Sequence, residues 1–227
     1  MIDYGRAIAK AGLEIKAIKL NPDNPFQWAS GYRMPIYNDN RMFLFFPEDR
    51  ELITDGLASI AKGLPFSVVA GTSTSGIAPG VLLSEKFKSP FIYIRDKPKD
   101  HGLRNRIEGI DAEEDLSGHV IILVEDLIST GGSSANAVQG IRDAKGRCDN
   151  CLSIFNYGLD KAVQEFSVLD PICEVRSLLT YDVLLDVAKE IGYLTKEQIR
   201  VLEEWRADPF NWGEKHGFPK VEKGEKK

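Results

Sequence analysis

Short apolar runs punctuate this chain at regular intervals, and stretches with helical spacing separate them. The run "VIILV" (120–124) is apolar throughout, and "FSVVA" (66–70), "PFIYIR" (90–95) and "CLSIFNY" (151–157) are nearly so. Runs of this length, rich in β-branched and aromatic residues, predict buried strands. "CEVRSLLT" (173–180) predicts a last one. Between the runs, 77–87 and 133–145 predict helices, the second with Val138 and Ile141 on one face, and 160–166 predicts a short one. Residues 181–191 and 196–207 predict two more. Upstream, 2–20 is amphipathic and predicts a first helix, whereas "NPDNPFQWASGYRMPIYNDNR" (21–41) is turn-rich, with short extended pieces at 26–28 and 35–37. Pro47 opens a second helix, with Glu48 and Asp49 in the first turn, where acids complement the helix dipole. Leu52, Ile53, Leu57 and Ile60 supply its apolar face.

Alternating strands and helices imply an α/β fold, a parallel sheet covered on both faces. Such sheets bind ligands beyond the carboxyl ends of their strands. The segments after Ala70, Arg95, Val124 and Tyr157 therefore line one rim. The 227 residues suffice for one large domain with small additions. After Pro209 the composition shifts to Lys, Glu and Gly; Phe210 and Trp212 are expected to pack onto the body and the final ten residues to be mobile.

The formal charge of −5 argues against a general nucleic-acid binder. No apolar run approaches the roughly 20 residues that span a bilayer. The N-terminus lacks a signal peptide's apolar block, so a cytoplasmic protein without a membrane partner is expected. Three cysteines make no disulfide framework. Cys148 and Cys151 form a C-x-x-C, but His101, His119 and His216 are scattered, so packed thiols are expected rather than a metal site. Trp28, Tyr93 and Phe155 read as core, and His119 as a surface or edge residue.

The chemistry concentrates in "EDLISTGGSS" (125–134), which begins at a strand end and closes at a helix start. There Ser129, Thr130, Gly131, Gly132 and Ser133 offer hydroxyls and unpaired amides, and the helix dipole favours an anion such as phosphate. The pattern is neither a Walker P-loop nor a dinucleotide fingerprint. Glu125 and Asp126 cannot coat a phosphate, but they can accept hydrogen bonds from vicinal hydroxyls or sit near a magnesium ion held by phosphates. Phosphate on one side and diol on the other describe a ribose 5-phosphate. Upstream, Arg95, Lys97, Lys99, His101, Arg104 and Arg106 crowd cations into one polar stretch, with freedom of movement from Gly102 and Gly109. Such a loop can fold over a diphosphate and stabilise the charge that develops as it leaves.

"VIILVEDLISTGGSS" resembles the phosphoribosyl-diphosphate signature of type I phosphoribosyltransferases. Two further segments, 26–41 and 93–109, narrow the resemblance to the orotate phosphoribosyltransferase family, and 68–80 also resembles a part of it. "FQWASGYRMPIYNDNR" (26–41) is similar to its base-binding segment, "VVAGTSTSGIAPG" (68–80) to its pyrophosphate loop, and "YIRDKPKDHGLRNRIEG" (93–109) to its mobile catalytic loop. The resemblance implies a type I phosphoribosyltransferase-like parallel sheet flanked by helices, with a small N-terminal hood. It implies a single domain over 1–208, of which 1–45 contributes the hood, and a partly mobile tail over 209–227.

The implied reaction transfers ribose 5-phosphate from 5-phosphoribosyl 1-diphosphate (PRPP) to orotate. The products are orotidine 5-monophosphate and diphosphate, in pyrimidine biosynthesis. The implied cofactor is Mg2+, held mainly by PRPP near Glu125 and Asp126. Lys99, His101 and Arg95 would act on the diphosphate, with Thr72, Ser73, Thr74 and Ser75 beside it. Glu125 and Asp126 would hold the ribose hydroxyls. Leu127 and Ile128 would lead into Ser129, Thr130, Gly131, Gly132 and Ser133, the cradle of the 5-phosphate. Ser129, Tyr37 and Asn38 would meet orotate. The family's loop reaches into the neighbouring subunit, which implies a homodimer with shared active sites.

Three departures from the family pattern bear on the grip on the orotate carboxylate. Ala29 and Asp96 stand where some members carry basic residues, and "FNYGLDKA" lacks the arginine that some place after the fourth strand; Arg33 and Lys161 are the candidate substitutes. Two other readings fit the signature alone. A phosphoribosyltransferase for another nucleobase is opposed by 26–41. A non-catalytic PRPP-sensing regulator is opposed by Lys99, His101 and the acidic balance.

Overall fold

In the computed structural model, which describes residues 2–96, 106–111 and 113–221, the apolar runs become one six-stranded sheet. Its order is β10 (Glu174–Thr180), β9 (Arg147–Asn156), β8 (Val120–Ile128), β5 (Val68–Thr72), β6 (Phe91–Ile94) and β7 (Ile107–Glu108). All neighbours run parallel except the edge pair β6–β7, which is antiparallel. Parallel strands need helical crossovers. These are α3 (Ile77–Phe87) after β5, α4 (Gly132–Asp143) after β8 and α5 (Asp160–Ser167) after β9.

Successive residues of a strand face opposite sides, and the central strands sort accordingly. Val69, Ile122, Val124, Leu152 and Ile154 join a core with α1 (Tyr4–Glu14), α2 (Pro47–Ala61), α6 (Tyr181–Glu190) and α7 (Lys196–Ala207). Val68, Ala70, Ile121, Leu123 and Cys151 join a second core under α4 and α5. Both faces are covered, which is why these segments read as continuous apolar runs. Cys148, Cys151 and Cys173 are free and buried in that second core. Among the described residues no helix is long and apolar enough to cross a membrane.

The N-terminal region differs from the expected single helix over 2–20. Helix α1 stops at Glu14, Lys16 takes φ 61°, and Ile18–Leu20 forms β1. Strand β1 pairs antiparallel with β4 (Ile36–Asn38), so Ile18 and Leu20 are buried by alternation rather than by helical spacing. A second ribbon joins β2 (Phe26–Gln27) to β3 (Arg33–Met34), and a 3-10 turn over Asn40–Phe45 leads to α2. The Asn40 Nδ2 donates to the Asp126 carbonyl at 2.6 Å, and the Trp28 ring lies 5.2 Å from that of Tyr157. These contacts hold the ribbons over the carboxyl ends of β8 and β9.

Strand β8 also exceeds its expected end at Val124 and runs through Glu125 to Ile128. The chain beyond Pro209 forms α8 (Trp212–Lys215), with Trp212 2% exposed. Residues 218–221, part of the stretch expected to be mobile, dock on this helix and on the hood. Phe218 stacks on Trp212 at 6.1 Å, and the Val221 amide donates to the Gly31 carbonyl at 3.0 Å. The remaining 222–227 lie outside the described residues.

Candidate active site

Because β8 continues through the two acids, Glu125 is held by ladder geometry rather than by a loop. Its side chain is 6% exposed. One oxygen accepts from Thr72 Oγ1 at 2.6 Å and from the Asp126 amide at 3.0 Å; the other accepts from Ser134 Oγ at 2.9 Å. Burial first, and then the neighbouring Asp126 charge, push the Glu125 carboxyl well above the usual carboxylate range. Burial raises Asp126 as well, against the lowering effect of its hydrogen bonds and of Arg41. Glu125 thus ties the turn after β5 to the turn after β8, leaving Asp126 as the less heavily bonded acid at the rim.

After Ile128 the chain turns through Ser129 and Thr130 into α4. Gly131 has φ 81°, and a Cβ there would lie 2.9 Å from the Ala162 backbone, so both conformation and space require glycine. The first amides of α4 lack intrahelical acceptors and point toward the rim, as an anion site requires. Ser133 Oγ donates to Asp96 at 3.1 Å, which joins this turn to the end of the chain segment after β6.

A second turn of the same kind follows β5. Residues 73–76 connect Thr72 to α3, the Ser73–Thr74 peptide is cis, and the Ser73 amide donates to the Ile94 carbonyl at 2.8 Å. At Gly76 a Cβ would lie 2.4 Å from both Thr72 Oγ1 and the Val124 carbonyl oxygen, so the turn packs directly on β8. Ser75 borders a crevice with Asp126, Asn40 and Arg41.

Lys99 and His101, with Lys97 and Arg104, lie outside the described residues. Both roots of their loop are described. Arg95 pairs with Glu108 at 3.6 Å, and its amide donates to the Arg106 carbonyl at 2.8 Å. Arg106 in turn donates to the Arg95 carbonyl at 3.0 Å and to Asn136 of α4 at 3.2 Å. The loop therefore leaves and rejoins the body beside the helix that follows the 129–133 turn.

A cavity of about 830 Å³ opens between the hood and the carboxyl end of β8. It brings together Tyr37, Asn38, Ser129 and Thr130 with Leu127, Trp28, Tyr157 and Phe210. Sequence reasoning assigned Trp28 to the core; it is a half-buried cavity wall, edge-on to Trp205 at 6.5 Å and donating from Nε1 to the Ile36 carbonyl at 2.9 Å. Asn38 is 9% exposed, and neither carboxamide atom has a hydrogen-bond partner. A buried carboxamide with both ends unsatisfied is costly unless a ligand pairs with it.

Of the two candidate substitutes for a carboxylate grip, Lys161 lines the cavity. Arg33 instead borders a separate groove with Pro25, Phe218 and Lys220. Sequence reasoning missed the structural parts of Asn40 and Ser134, although both lie within the quoted motifs. It also missed Leu127, Tyr157 and Phe210 as cavity walls, for which only a distant packing partner could have been a signal.

Two anion-suited turns lie at adjacent strand ends, linked by a buried acid and covered by a hood. Together with the sheet order they define the type I phosphoribosyltransferase class. No family model matches the chain. It is 42% identical over 213 residues to the orotate phosphoribosyltransferase of Lactococcus lactis, covering 93% of this chain and 99% of that one. It is 43% identical over 203 residues to that of Staphylococcus saprophyticus, covering 88% and 97%. In fold it resembles orotate phosphoribosyltransferase from Aeropyrum pernix, with a TM-score of 0.68 at 21% identity, covering 83% of this chain and 99% of that one. The chain belongs to the orotate phosphoribosyltransferase family.

Proposed function

We propose that the chain transfers the ribose 5-phosphate of PRPP to N1 of orotate within the site just described. The cavity between hood and β8 takes the base, the 129–133 turn takes the 5-phosphate, Asp126 takes the ribose hydroxyls, and the 72–75 turn takes the diphosphate. The observation that carries this reading is the position of the cavity. It ends at Ser129 and Thr130, where the phosphate turn starts, so base and sugar phosphate meet across one strand end. A ring bounded by Trp28, Tyr37, Tyr157 and Phe210 suits a flat heterocycle. The unpaired Asn38 carboxamide suits its imide edge, which offers one donor between two acceptors. Lys161 supplies a cation for the orotate carboxylate.

N1 of the orotate anion forms a bond to C1 of the ribose as the C1–O bond to diphosphate breaks. The electron pair leaves with the diphosphate, and the ring oxygen shares the positive charge that develops at C1. The protein orients the two reactants and receives the departing charge with Lys99, His101 and Arg95. Asp126 would lie beside a Mg2+ ion carried by PRPP, which would neutralise part of the leaving group's charge. The enzyme works as a cytoplasmic homodimer in which the loop serves the neighbouring site. Exposed Leu44, Phe45 and Phe46 support an apolar contact face of this kind. The direct test follows orotate absorbance with and without PRPP and magnesium. Consumption that requires both is expected; turnover of uracil or hypoxanthine in place of orotate would overturn the assignment.

A further inference from the structure

The hood's β2–β3 ribbon has only two residues on each strand and no place in the main sheet. Such a ribbon is not stable on its own, so its geometry is imposed by what packs against it. On one side Trp28 lies against Tyr157 and Trp205. On the other, the cover comes from the C-terminal segment. The Phe210 ring meets Tyr32 edge-on at 5.3 Å, and Lys220 Nζ sits 4.5 Å above the same Tyr32 ring. The Val221 amide donates to the Gly31 carbonyl at 3.0 Å.

Gly31 has φ 87°, and a Cβ there would fall 2.1 Å from the Val221 carbonyl oxygen. The tail backbone at Val221 and the ribbon tip at Gly31 are thus in direct contact. At Gly213 of α8 a Cβ would lie 3.1 Å from the Arg33 carbonyl oxygen, so the tail's short helix also packs on β3 without a gap. Phe210 itself lines the cavity, opposite Leu127 and Tyr157.

We propose that the C-terminal segment 209–221 is part of the base site: Phe210 forms its outer wall, and Lys220 and Val221 pin the hood tip at Gly31 and Tyr32. The tail thereby governs affinity for the base and leaves affinity for PRPP nearly untouched, because among the described residues its ring contacts and backbone hydrogen bond to the hood fall on Tyr32 and Gly31 rather than on the 72–75 and 129–133 turns. Phe210 touches the base; Lys220 and Val221 are positioning residues. The inference rests on orotate being the base bound there.

The test is a steady-state comparison of Phe210→Ala, Val221→Pro and Phe210→Tyr in the full chain. Val221→Pro deletes the amide donor to Gly31 while keeping the chain length. Phe210→Ala is expected to raise the orotate KM about tenfold, equivalent to about 1.4 kcal/mol, with the PRPP KM within about twofold of the unaltered protein. Val221→Pro is expected to raise the orotate KM by about threefold. Phe210→Tyr should restore the unaltered value. An unchanged orotate KM in both Phe210→Ala and Val221→Pro overturns the proposal, as does an equal rise in both KM values. Should Phe210→Ala fail to fold, Val221→Pro decides the matter. Failure of the unaltered protein to consume orotate would instead overturn the functional reading, a result distinct from turnover with unshifted KM.

Discussion

Replacing Glu125 separates its structural role from its charge. The carboxyl accepts three hydrogen bonds while 6% exposed. In Glu125→Ala, Thr72 Oγ1 retains its 3.4 Å contact with the Val124 carbonyl, but the hydroxyl of Ser134, 2% exposed, is stranded. An orphaned buried hydroxyl costs about 1–3 kcal/mol, and the lost buried methylene adds about 1 kcal/mol. The expected loss is therefore about 2–4 kcal/mol, or roughly 5–15 °C in Tm for a chain of this size. Glu125→Gln behaves differently. Its amide oxygen can still accept from Thr72 and the Asp126 amide, and its amide nitrogen can donate to a rotated Ser134 hydroxyl.

The glutamine variant also removes the titration. The folded-state pKa of Glu125 lies above its unfolded value, so the folded state binds the proton more tightly. That contribution is fully present below the unfolded pKa of about 4.3 and is lost as pH rises toward the raised folded value. Urea unfolding of the three proteins at pH 5 and pH 9 checks this. Glu125→Gln should match the unaltered protein at pH 5 and exceed it at pH 9, while Glu125→Ala is weaker at both. A glutamine variant as unstable as the alanine one, or one that keeps the full decline between the two pH values, refutes the reasoning.

Lys99→Ala should lower turnover by about 100- to 1000-fold, the scale of one lost leaving-group contact, with Tm unchanged; unaltered kcat would remove Lys99 from the mechanism. Asp126→Ala should raise the Kd for PRPP by at least about tenfold through lost hydrogen bonds to the ribose hydroxyls, as read by isothermal titration with PRPP and magnesium. Lys161→Ala should raise the orotate KM by roughly three- to tenfold, with the difference shrinking in high salt because the side chain is exposed; a salt-independent change would argue against an ion pair with the carboxylate.

Sequence and structure agree best where a segment is buried on both faces. The runs at 120–124 and 151–157 announced central strands because no position along them tolerates water. They failed to announce their own lengths. The last four residues of β8 begin with Glu125 and Asp126, which read as loop because acids are rarely buried. Thr72 and Ser134, brought in from neighbouring elements, join the Asp126 amide in making the burial of Glu125 tolerable. Ile18 and Leu20 read as the end of the first helix, but their i, i+2 spacing is that of one strand face, and pairing with β4 fixes them as a strand.

What the amino-acid order determined by itself is local chemistry. The acid pair, the hydroxyl-and-glycine turn and the cation-rich stretch are each contiguous in the chain, so their chemical character is readable without knowing what packs beside them. What tertiary structure alone decided is the cavity beneath the hood. Its walls come from Trp28, Tyr37, Leu127, Tyr157 and Phe210, residues with no regular spacing. The same holds for the choice between two cations: Arg33 stands in the hood segment and Lys161 beyond β9, yet only Lys161 faces the cavity. Which side chains converge on a void depends on how strands and helices stack. That stacking is set by the summed burial of the whole core, a quantity that no short stretch of the chain contains.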